Sequence, residues 1–234
     1  MVLAAVAFDL DGTLFDHQAA ARQGLRAWAT DLGATWDEEL ATAWTTAEAR
    51  HFTAWRDGHI SFAEQRRRRL RDVLPLIGHP VGDDEELDAV FEGYLAAYQR
   101  AWCGYPDVNP ALEQLQQAGL ATAVLTNGNT AQQKDKLAHI GLLGRVGPVL
   151  TSEALGVAKP APGAFHALCD HLSLPGRVTP QQVLYVGDDH AVDVVGAATA
   201  GLHVVHLDRV SAGTPSGASR IETLADLAAV AEAL

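Results

Sequence analysis

The sequence predicts an α/β protein, a doubly wound parallel sheet with a helical unit inserted near its start. Three observations carry that expectation. An apolar run, Val2 to Phe8, leads into Asp9-Leu10-Asp11-Gly12-Thr13. Residues from about 17 to 102 place apolar side chains at three- and four-residue spacing and contain no strand-like segment. From Tyr105 onward, helix-like and strand-like segments alternate, which is the rhythm of a parallel sheet.

The first strand ends in two carboxylates. Asp9 and Asp11 are two apart and share one side of an extended segment, while Gly12 permits a tight turn that brings backbone donors near an anion. A calcium loop is disfavoured, because Leu10 and the Leu14-Phe15 pair replace its run of oxygen ligands and its distal glutamate.

Four helices are expected next, near Ala19 to Leu32, Asp37 to Arg56, Ser61 to Leu76 and Asp84 to Trp102. Gly33, Gly58 and the Gly78 to Gly82 stretch separate them. Ser61 followed by Glu64 reads as a capping box. All five tryptophans, Trp28, Trp36, Trp44, Trp55 and Trp102, fall in this region; packing between its helices is the commoner use of such side chains, and stacking on a nucleobase is the alternative for one or two of them. The run Arg66 to Arg69 with Arg71 reads as a solvated face paired with acids such as Glu64 and Asp72, the alternative being a patch that receives a second phosphate or attracts anionic substrates; successive helical residues point about 100° apart, so four arginines do not all face one pocket.

Beyond Tyr105, helices are expected at Pro110 to Ala118, Ala131 to Ile140, Pro162 to Leu172 and His190 to Ala200. Strands are expected at Ala121 to Thr126, Val149 to Thr151, Val183 to Val186 and His203 to Leu207. Segments such as Val183-Leu184-Tyr185-Val186 suit burial on both faces. The small-residue stretch Ser211 to Ser219 reads as a loop before a final amphipathic helix.

Composition narrows the function. Two cysteines, Cys103 and Cys169, make no disulfide framework or zinc site, so a reducing cytoplasm is the simplest location. The first apolar stretch is too short for a signal sequence, and no run of about 18 apolar residues follows, so neither export nor membrane insertion is expected. A net charge of -12 disfavours nucleic acid as a partner. The apolar stripes of the helical unit suit packing on the core or on another subunit, and the oligomeric state stays open.

In a doubly wound sheet, ligands bind at the carboxyl ends of strands where the order reverses. Thr126-Asn127-Gly128 and Gly187-Asp188-Asp189 end two strands, and Lys159-Pro160 precedes a helix. Together with the opening loop they make one constellation. Asp9-x-Asp11-Gly12-Thr13, Thr126, Lys159 and Gly187-Asp188-x-x-x-x-Asp193, in that order, resemble the four motifs of the haloacid dehalogenase superfamily. That resemblance spans nearly the whole chain. It implies a Rossmann-like core formed by residues 1–16 and 105–234, and an α-helical cap formed by residues 17–104 that supplies most substrate contacts.

The resemblance also implies roles. Asp9 is the nucleophile that forms an aspartyl-phosphate, and Asp11 protonates the leaving oxygen and then takes a proton from the hydrolytic water. Lys159 neutralises the phosphoryl group and holds Asp9 ionised, while the Thr126 hydroxyl and the Asn127 backbone amide bind the phosphate. Two carboxylates repel a dianion, so a divalent cation is required, and an all-oxygen donor set points to Mg2+. Its expected ligands are Asp9, Asp188 and the carbonyl of Asp11, with Asp193 supporting. Asp189 stands where relatives commonly carry a small hydroxyl residue, and reads as a helix N-cap.

The segments Leu125 to Gly128, Gln132-Gln133-Lys134 and Gly156 to Pro160 are similar to the branch containing nucleotidases and N-acylneuraminate phosphatases. The implied partner is a small phosphorylated metabolite, with sugar phosphates, phosphoglycolate and nucleoside monophosphates all open. The alternatives on the same fold are a phosphomutase, a dehalogenase and a catalytically silent ligand-binding module. Asp11 argues for phosphate over dehalogenation, which has no comparable use for an acid two residues after the nucleophile.

Overall fold

The structure, a computed structural model, describes residues 3–172, 176, 178–210 and 219–234. The chain forms two compact units, one of Met1–His17 with Cys103–Leu234 and one of Gln18–Trp102.

The helical unit is built from α1 (His17–Asp31), α2 (Glu38–Arg56), α3 (Phe62–Val73) and α4 (Asp84–Arg100). Their starts follow from capping: Asp37 Oδ1 accepts the Leu40 N–H at 2.8 Å, and Ser61 Oγ accepts that of Glu64 at 3.1 Å. The expected box at Ser61 forms only this half, because the Glu64 carboxylate accepts from Arg68 at 2.7 Å and from Arg71 at 3.2 Å instead. The reciprocal box forms at α4, between Asp83 and Glu86.

Trp28 and Trp44 are buried together with their rings 5.5 Å apart, and Tyr94 lies 4.3 Å from Trp44, so these aromatics serve packing. Most of the arginine run meets acids at the surface, as Arg67 does with Asp84 and Asp88. Arg69 departs from that expectation. The helical rotation turns it inward, buried 4.5 Å over the Trp44 ring and 2.9 Å from Glu48.

The second unit holds β1 (Ala5–Phe8), β2 (Ala121–Thr126), β3 (Val149–Thr151), β4 (Val183–Gly187), β5 (His203–Leu207) and β6 (Ser219–Ile221). The sheet is parallel throughout, in the order β3-β2-β1-β4-β5-β6. This is the expected doubly wound α/β architecture. All residues of β1 and β4 are buried, which is why both read as unbroken apolar runs. The order reverses at β1, and Phe8 pairs with Val124 on one side and Val186 on the other.

Helices flank this sheet: α5 (Val108–Gln117), α6 (Thr130–His139), α7 (Ser152–Leu155), α8 (Pro162–His171), α9 (Gly196–Thr199) and α10 (Leu227–Glu232). Phe165 and Leu168 of α8 bury against Tyr185 of β4. The segment expected as one helix at His190 to Ala200 is a π-helical turn, His190–Val195, followed by α9. Strand β6, too short and polar to stand out in the sequence, closes one edge. The expected Ser211 to Ser219 loop lies outside the described residues except Ser219, which begins β6.

Candidate active site

Asp9 leaves β1 directly, with its N–H donating to the Val186 carbonyl of β4 at 2.9 Å. The chain then turns sharply: Gly12 adopts φ 88°, and its N–H closes on the Phe15 carbonyl at 2.9 Å. A methyl group at Gly12 would lie 2.2 Å from Asp188 Oδ2. Glycine therefore lets the β1 loop approach the β4 loop.

Lys159 occupies the centre. Its Nζ donates to Asp9 Oδ1 at 2.6 Å, Asp193 Oδ1 at 2.6 Å and the Tyr185 hydroxyl at 2.9 Å, satisfying all three ammonium protons in a buried setting. Tyr185 passes its own proton to the Leu125 carbonyl at 2.9 Å. Asn127 braces Lys159 from behind through two hydrogen bonds to its backbone. The Asn127 side chain is committed there.

On the β2 side, Gln133 and Lys136 reach Asp11 from α6. Lys136 Nζ donates to Asp11 Oδ1 at 2.6 Å, and Gln133 Nε2 donates to Asp11 Oδ2 at 3.1 Å and to Thr126 Oγ1 at 2.6 Å. Burial alone would raise the Asp11 pKa, but the Lys136 charge, then His17 and these hydrogen bonds outweigh it and hold the carboxyl below its usual value.

The third group follows β4. Asp189 caps the turn as expected, its Oδ1 accepting from Ala191 N and Val192 N at 2.9 Å each. The Val194 N–H reaches back five residues to the Asp189 carbonyl, a π-type bond that widens the turn carrying Asp193. Both Asp193 oxygens are engaged, one by Lys159 and the other by Asp189 N–H at 3.1 Å. Asp193 thus suits orientation better than ligation.

Asp9, Asp188 and Asp193 each offer an oxygen within 4.8 Å of the others, the one such acidic group among the described residues. Three carboxylates against one ammonium leave two negative charges, the charge of one divalent cation. The strain shows in their protonation. Burial, with Asp193 and Asp188, pushes Asp9 well above its ordinary value against the pull of Lys159. Asp188, at the open end of the cluster, is pushed up to about 7 by burial and then Asp193. A hard cation would relieve both, and the donors are all oxygen, as Mg2+ requires.

The residues expected from the sequence divide into two linked sets. Lys159 holds Asp9 and Asp193, with Asp188 beside those two carboxylates, while Asp11 and Thr126 meet through Gln133, whose amide also lies 3.4 Å from the Asn127 carbonyl. Gln133, Lys136 and Tyr185 were not assigned from the sequence. A signal existed for each: two polar residues three apart on the helix after Thr126, and a lone hydroxyl in an apolar strand.

Residues 3–201 match the family model of haloacid dehalogenase-like hydrolases. The chain is 34% identical over 209 residues to a ribulose-1,5-bisphosphate 5-phosphatase of Halopiger xanaduensis, covering 87% of this chain and 84% of the relative. It is 30% identical over 214 residues to (S)-2-haloacid dehalogenase 4A of Burkholderia cepacia, covering 88% and 84%. Among solved structures, the putative HAD-hydrolase YfnB of Bacillus subtilis shares the fold, with TM-score 0.82 over 99% of both chains at 20% identity. The chain belongs to the haloacid dehalogenase-like hydrolase family and is an enzyme of that family.

Proposed function

We propose that this enzyme is a magnesium-dependent phosphomonoester hydrolase acting on a small phosphorylated metabolite through an aspartyl-phosphate on Asp9. One observation supports the reading: three carboxylates, two of them hydrogen-bonded to a single buried ammonium, gather beside a separately held acid two residues after the nucleophile. Hydrolysis of a phosphate dianion needs that excess of carboxylate to be balanced by a cation. Displacement of halide from a haloacid does not.

In this mechanism Asp9 Oδ2 attacks phosphorus, the bond from phosphorus to the leaving oxygen breaks, and that oxygen takes the proton of Asp11. Approach of the dianion opposes ionisation of Asp11 and so lets it carry that proton. Lys159 keeps Asp9 nucleophilic, and the Thr126 hydroxyl, whose oxygen accepts from Gln133, donates to a phosphoryl oxygen with the Asn127 amide. Asp11, now a base, draws a proton from the water that cleaves the acyl phosphate. Asp9, Asp188 and the Asp11 carbonyl would hold Mg2+, with Asp193 orienting Lys159 and the β4 loop. When bound, the ion supplies charge neutralisation for the transferring group. Substrate selection is assigned to the helical unit, residues 17–104.

The second reading, a dehalogenase, has support from the Burkholderia cepacia relative. One assay separates the two. Purified protein is given an aryl phosphate, with Mg2+ or with EDTA, and separately a 2-haloacid. Phosphate release that requires Mg2+ and disappears in Asp9→Asn is expected. Halide release without phosphate release would overturn the reading, and turnover of neither would favour a ligand-binding module.

A further inference from the structure

Both oxygens of the Asp11 carboxylate are held by donors from one helix. Gln133 and Lys136 are three residues apart on α6, so they lie on one face, and both are buried, at 2% and 4% exposure. The start of α6 is itself fixed: Asn129 Oδ1 accepts from Gln132 N at 3.1 Å, and Glu153 accepts from Thr130 N at 2.8 Å. Lys136 Nζ also lies 4.9 Å over the Phe15 ring of the β1 loop. A buried lysine and a buried glutamine whose polar ends meet on the same carboxylate are a costly arrangement for packing alone.

We infer that Gln133 and Lys136 are positioning residues for proton transfer, fixing the orientation of the Asp11 carboxyl and, through Gln133, its register with the Thr126 hydroxyl. The inference rests on the reading of Asp11 as the acid. As the proton passes from Asp11 to the leaving oxygen, negative charge develops on the carboxylate that the Lys136 ammonium faces. Gln133 Nε2, shared between Asp11 Oδ2 and Thr126 Oγ1, ties the side of the phosphoryl group that departs to the side that is gripped.

Leaving-group dependence tests this. The ratio kcat/KM covers the steps through departure of the alcohol, so an aryl phosphate, whose phenolate leaves without help, and an alkyl phosphate, whose alkoxide needs a proton, respond differently to a displaced acid. Lys136→Met is expected to lose about 10²-fold more kcat/KM on the alkyl than on the aryl substrate. Gln133→Leu should show the same steepening at smaller size, which keeps the test alive if Lys136→Met folds poorly. Lys136→Arg should restore part of the loss, and Lys136→Met in an Asp11→Asn background should add little. Equal losses on both substrates, or full additivity, would overturn the proposal while leaving Asp11 as the acid. If Asp11→Asn itself shows no steepening, the acid assignment fails first and this inference with it.

Discussion

The Asn127 side chain clasps the peptide of Lys159 at both ends, Oδ1 accepting its N–H and Nδ2 donating to its carbonyl, each at 2.9 Å. Thirty-two positions separate the two residues in the chain. The loop after β2 therefore sets the root of the ammonium that meets Asp9 and Asp193, and a residue read from sequence as a phosphate ligand also acts as a brace.

Asn127→Ala removes that brace while leaving the backbone amide in place. We expect kcat/KM to fall about 10²-fold from a displaced Lys159, with a stability loss of about 1–3 kcal/mol for the abandoned backbone groups. Steady-state kinetics and urea unfolding measure the two. Loss of stability with kcat/KM intact would refute the brace.

Gly12→Ala brings a methyl group to within 2.2 Å of Asp188 Oδ2 and forces alanine to φ 88°. The conformation alone costs about 1–2 kcal/mol. Displacement of Asp188 should weaken Mg2+ binding about 10-fold or more in calorimetric titration. Gly33→Ala, at φ 76° with nothing within 4 Å, carries the backbone penalty alone and serves as the control.

Metal-free protein should lose stability as pH rises toward about 7. Asp188 is raised in the folded state to about 7, so between its unfolded pKa near 4 and that value the folded state holds more protons than the unfolded chain. Its contribution is present below pH 4 and is lost as pH rises through 7. Mg2+ selects the ionised form, so its stabilisation should be larger at pH 8 than at pH 5. Thermal melts at both pH values, with EDTA and with Mg2+, check the sign; equal Mg2+ shifts would contradict it.

Asp189 caps a turn, and the predicted consequence is a small one. Asp189→Ser retains an acceptor for the Ala191 and Val192 N–H groups and should leave stability nearly unchanged, whereas Asp189→Ala costs about 1 kcal/mol. Neither should change Mg2+ affinity. A tenfold loss of affinity in both would make Asp189 a ligand.

What the amino-acid order determined by itself is local or periodic. Apolar runs marked β1, β2 and β4; three- and four-residue spacing marked the helices of the inserted unit; Asp9, Asp11, Thr126, Lys159 and Asp188 stood out because each lies in a loop or at a strand end, and Asp193 through the resemblance of its motif. Strand β6 escaped because three residues carry no period, and the π-helical turn at His190–Val195 escaped because a bond reaching back five residues, such as that from Val194 N–H to Asp189, leaves no mark in residue spacing. The tertiary structure alone decided the partnerships. Lys136 meets Asp11 across 125 positions, and Lys159 chooses Asp193 and Tyr185 as well as Asp9. Such pairs arise when a parallel sheet draws distant strand ends to one edge, and no spacing along the chain encodes that distance.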